Sequence, residues 1–85
     1  MIEGIRYDDG DQPAVGLVPP GASWDEVRDH IKIAHGPLLV GPDESGQFAG
    51  AYWASSQMVV AGELGTDQEE AVAEFRELLS DLGWL

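Results

Sequence analysis

Two helix-start signals constrain this chain more than any other feature. Ser23 is followed three residues on by Glu26, and Thr66 three residues on by Glu69. At that spacing the hydroxyl satisfies an orphan backbone N–H of the first turn while the carboxylate reaches back to the cap residue. Helices are therefore predicted over residues 24 to 35, stopped by Gly36 and Pro37, and over residues 67 to about 82, stopped by Gly83.

The stretches outside the two helices hold short apolar runs broken by turn residues. Residues 2 to 7 alternate loosely, DDGDQP follows as a turn, and residues 14 to 18 form a second run ended by Pro19, Pro20 and Gly21. The run PLLVG, residues 37 to 41, is apolar without alternation and fits an interior strand. PDESG then turns into residues 47 to 61, which are compatible with one bent strand or with a hairpin broken at Ser55, Ser56 and Gln57. The expected fold is α+β: a small, mainly antiparallel sheet of four to five strands with two helices packed on one face, in the order ββαβββα.

Eighty-five residues make one domain, 1–85, because a chain of this size supports a single core. There is no cysteine, which rules out disulfides and thiolate metal sites. No signal peptide or membrane span is evident, so a cytoplasmic location is expected. Sixteen acids against four bases give a net charge of −12, and nine of the acids against one base fall in residues 43 to 85. Such a field repels nucleic acid and anionic membranes and attracts basic protein surfaces.

The last helix divides into two sides when laid out at about 100° per residue. Ala71, Phe75, Leu78, Leu79 and Leu82 form an apolar stripe. Glu70, Glu74, Glu77 and Asp81 fall within roughly 60° of one another on a different side, spaced by about 4.5 to 6 Å along the axis, near the separation of phosphates along a nucleic-acid strand. Like charges at i, i+4 cost a helix a few tenths of a kcal/mol each, so the row is retained against a local penalty. In the first helix Trp24, Val27, Ile31 and Ala34 share one face, predicted to be buried.

Tyr52 and Trp53 are neighbours in a predicted strand and point to opposite faces. With helices on one side only, one of these rings is expected near solvent, where a large aromatic anchors contacts. His30 and His35 stand about 140° apart around the first helix and cannot share a metal; Glu26 and His30 are at i, i+4 but lack a third ligand. His35 sits where it favours the negative end of the helix dipole. Asp8, Asp9 and Asp11 lack the glycine position and the distal Glu of a calcium loop. No serine has a nucleophile context, and neither an enzymatic activity nor a cofactor or metal is expected.

The functional expectation is a non-catalytic module that binds a basic protein surface. In its sharper form it mimics nucleic acid and inhibits a nucleic-acid-binding protein, as small acidic phage-encoded inhibitors of restriction or CRISPR systems do, an analogy of size and charge alone. The residues expected to carry this are Glu70, Glu74, Glu77 and Asp81, with Asp67 and Glu69 at the helix start and Tyr52 or Trp53 as an apolar anchor. The alternative is a salt-adapted or simply acidic accessory domain acting through homodimerisation or the Tyr52/Trp53 sheet face. Trp84, past the helix stop, is expected to close the core or extend an interface.

Overall fold

The computed structural model describes residues 4–8, 10, 13–19, 21–34 and 36–83. Five strands and two helices follow in the order β1 Arg6–Asp8, β2 Val15–Leu17, α1 Trp24–Ala34, β3 Leu38–Val40, β4 Ala49–Ala54, β5 Gln57–Ala61 and α2 Gln68–Asp81. This is the ββαβββα order of a small α+β domain. The strands lie side by side in chain order. All neighbours are antiparallel except β2 and β3, which run parallel because α1 carries the chain back across the sheet between them.

Residues 47 to 61 resolve as a hairpin. β4 and β5 pair from Gly50 opposite Ala61 to Ala54 opposite Gln57, around the two-residue loop Ser55–Ser56. Both loop residues have positive φ, 52° and 63°, as the hairpin turn that matches strand twist requires.

The two helices lie on opposite sides of the sheet, and here the expectation of one covered face is corrected. Leu38, Ala51, Trp53 and Met58 point toward α1, where they pack with Val27, Ile31 and Val18. Their neighbours in the same strands, Leu39, Tyr52 and Val59, point the other way and pack with Val15 and with Ala71, Val72, Phe75 and Leu79 of α2. The alternation of side chains along a strand therefore serves two cores, and β3 is buried on both faces, which explains the unbroken apolar run PLLVG.

A glycine makes room on each face. A Cβ at Gly50 would collide with the Phe75 ring, so the bare backbone of β4 is the seat on which α2 rests. A Cβ at Gly16 would come within 2.6 Å of the Leu38 side chain and also crowd Ile5 and Tyr7 on the α1 face. Such positions favour glycine for space rather than for backbone freedom.

The helix faces shift slightly from prediction. In α1, Val27 and Ile31 are fully buried, whereas Trp24 is 44% exposed and Ala34 is exposed. In α2, Val72 joins the buried stripe, Leu78 is half-buried, and Leu82 is 55% exposed because the helix ends at Asp81 and Leu82 forms its C-cap. His35 and Trp84 lie outside the described residues, as do Asp9 and Asp11 of the acidic turn.

The outer strands differ in character. β1 carries Arg6 and Asp8, while β5 carries no charge along its five residues. No helix of the described residues is long and apolar enough to cross a membrane.

Candidate binding surface on the last helix

The sequence preceding α2 fixes where its acids point. Capping falls to Asp67, one residue later than Thr66: its carboxylate accepts from the Glu69 N–H at 3.3 Å, with the extended backbone of an N-cap. The other expected box holds as written, with Ser23 and Glu26 exchanging hydrogen bonds through Ser23 Oγ and Glu26 Oε1. Asp67 is thus engaged in starting the helix, and Glu69 lies about 110° around the axis from the main acidic row.

Phe75 settles the rotation of α2. Its ring sits over Gly50 and 6.4 Å from the Tyr52 ring, with Ala71, Val72 and Leu79 buried beside it. Glu70, Glu74, Glu77 and Asp81 consequently face away from the sheet, and all four are exposed. They form no ion pair among the described residues. Glu74, Glu77 and Asp81 also border one shallow depression floored by Leu64 and Leu78, so the lower part of the row has an apolar margin. Leu64 was not anticipated at this site; the only signal for it was a lone apolar residue between Glu63 and Gly65.

The one base of α2 points elsewhere. Arg76 reaches the first strand, pairing with the Asp8 carboxylate at 3.1 Å and donating to the backbone carbonyls of Asp8 and Pro13. The hydrogen bond and charge of Arg76 hold the Asp8 carboxyl below the usual carboxylate range. Asp8 is therefore neutralised against α2 rather than added to its acidic row.

Tyr52 and Trp53 do not stand at this surface. Tyr52 is 9% exposed inside the α2 core, and Trp53 is half-buried against the α1 core. With the sheet covered on both faces, both rings pack against a core, and among the described residues the aromatics with wide exposure are Tyr7 and Trp24. Tyr7 meets His30 through its hydroxyl, 3.1 Å from Nε2, so His30 ties α1 to β1. Among the described residues no group of three or more His, Asp or Glu is placed to hold a metal ion.

No protein-family model, no curated protein and no solved structure matches this chain.

Proposed function

We propose that this protein is a non-catalytic binding module that docks the acidic side of α2 onto a basic surface of another protein. One observation carries the reading: Glu70, Glu74, Glu77 and Asp81 are exposed in a row without ion pairs among the described residues, while the only base of the helix is committed to Asp8. A charge row left uncompensated costs helix stability, and an opposite surface would recover that cost on binding. The sharper form of the proposal is mimicry of a nucleic-acid backbone, with the partner a nucleic-acid-binding protein. The spacing of the row, about 4.5 to 6 Å along the axis, supports it.

The test is capture of partners from the native host at low salt, then comparison with the triple variant Glu70→Lys, Glu74→Lys, Glu77→Lys. Binding should weaken steeply with salt and disappear in the variant while its circular dichroism stays unchanged. Undiminished binding by a folded triple variant would reduce the row to surface decoration.

A second reading, an acidic accessory domain that homodimerises, is favoured by β5. That strand lies at the sheet edge, and an edge without charge or proline is a template for pairing with another strand. Sedimentation in molar salt, where repulsion between copies is screened, should then reveal a dimer; a monomer under those conditions would remove this reading.

A further inference from the structure

The start of α1, the end of β3 and the loop into β4 enclose a second feature, apart from the α2 row. Trp24 lines a depression of about 290 Å³ together with Pro19, Val40, Pro42, Asp43 and Gln47. That is at the lower limit of small-molecule pockets, roughly 300 Å³, and suits one side chain better than a cofactor. Nearly half of the Trp24 surface is open.

The acid on its rim is held in place. Asp43 accepts from Ser45 N–H at 2.9 Å, Ser45 Oγ at 2.7 Å and Gln47 N–H at 3.0 Å, and all three bonds end on Oδ1. Oδ2 takes none of them. The Ser45 hydroxyl, followed by the Gln47 N–H, keeps this carboxyl below the usual carboxylate range, so it stays charged in mildly acidic conditions. Other acids near the start of α1 are occupied, Glu26 by the Ser23 cap and Asp25 by Arg28. Among the described residues no base lines the depression.

We propose that this depression receives one arginine side chain of a basic partner, its guanidinium stacked on Trp24 and paired with Asp43. The chemistry selects arginine over lysine: a planar, weakly hydrated cation lies flat on an indole while its edge donates to a carboxylate, and an ammonium does only one of these well. The inference rests on the proposed basic partner, and it adds a specific contact to the diffuse attraction of the α2 row.

A tetra-arginine peptide serves as the probe, with tetra-lysine and tetra-citrulline as controls, followed by the indole and amide signals of ¹⁵N-labelled protein at low salt. The Trp24 indole, assigned by its loss in Trp24→Phe, and the amides of Val40 to Gln47 should shift to saturation with the arginine peptide. They should shift less with lysine and stay still with citrulline. Trp24→Leu should weaken binding about two- to five-fold. Asp43→Asn, which keeps the Oδ1 acceptor of the turn, should weaken it also and provides a second variant if Trp24→Leu fails to fold. The α2 triple lysine variant separates the two sites: persistence of the Trp24 shift in it supports the depression even where the row has failed. Arginine-induced shifts confined to α2, or equal shifts with citrulline, would overturn the proposal, as would an unmoved Trp24 indole.

Discussion

The two helices of this protein handle their acids in opposite ways. α1 carries three acids and two bases, and Arg28 lies between Asp25 and Asp29 at 3.7 and 3.8 Å. α2 carries five acids and one base, and that base leaves the helix for Asp8. α1 also has Lys32 in its last turn, where a cation suits the helix dipole, while α2 has no base there and places Asp81 at the unfavourable end. Charge is thus brought to a net of −1 within α1 and left at −4 on α2. Stability of α2 must come from its buried side, which joins a cluster of nine buried residues among those described, against five in the cluster beneath α1.

The largest test of that contrast is core truncation. Phe75→Ala should cost about 3 to 5 kcal/mol in urea unfolding, and Ile31→Ala less, within the 2 to 5 kcal/mol range of aliphatic truncations. Equal losses would mean that α2 depends no more on its core than α1 does. Next in size, Gly50→Ala should destabilise by about 1 to 3 kcal/mol through overpacking against Phe75. Combined with Phe75→Leu it should cost less than the two single losses together, because the smaller side chain vacates the contested space. Additive losses would place the collision elsewhere.

Charge changes are smaller. Glu77→Lys and Asp81→Lys should each raise the melting midpoint by the equivalent of a few tenths of a kcal/mol, more at low than at high salt, whereas Arg28→Glu in α1 should lower it by a similar amount. A loss of stability from the α2 lysines would show that the acids serve the fold.

The remaining test uses pH. Asp8 titrates lower in the folded protein than its unfolded value of about 3.9, so its pairing with Arg76 stabilises above that value and is lost as pH falls through the folded pKa. The stability gap between the protein and Asp8→Asn should be constant near neutrality and close under acid. A gap independent of pH would assign the effect to something other than this ion pair.

Much of the fold was legible because it is locally encoded. Ser23 with Glu26, and Gly83 after the last apolar turn, mark their helices through backbone groups that need partners within a few residues. PLLVG is legible as an interior strand, and a strand apolar on both sides needs a cover on both sides. The small residues of AGAYWA concealed the same fact in β4, where Gly50 and Ala51 are buried toward different helices without bulky side chains to show it. The second layer also decides where Tyr52 and Trp53 go, one into each core. For the candidate surfaces, the α2 row was legible because one helix holds all of it. The Trp24 depression was not, since it joins residues 19 to 24 with residues 40 to 49, a proximity that only the parallel crossover creates.

The reach of Arg76 to Asp8 also has a meaning for how the molecule comes apart. It joins positions 68 residues apart, pinning to the last helix a three-residue strand whose side chains are all exposed. The β4–β5 hairpin, in contrast, closes over two residues and needs no distant partner. Closing a long loop costs only about 0.6 kcal/mol per doubling of its length, but it waits for both ends to be in place. Assembly should therefore proceed from the hairpin and α2 toward β1, and breathing of the native state should run in reverse, with the amides of Arg6 to Asp8 exchanging long before those of β4. Besides the pairing with β2 and the Tyr7–His30 contact, the single base of α2 is thus spent on holding β1, and this commitment turns it away from the acids beside it.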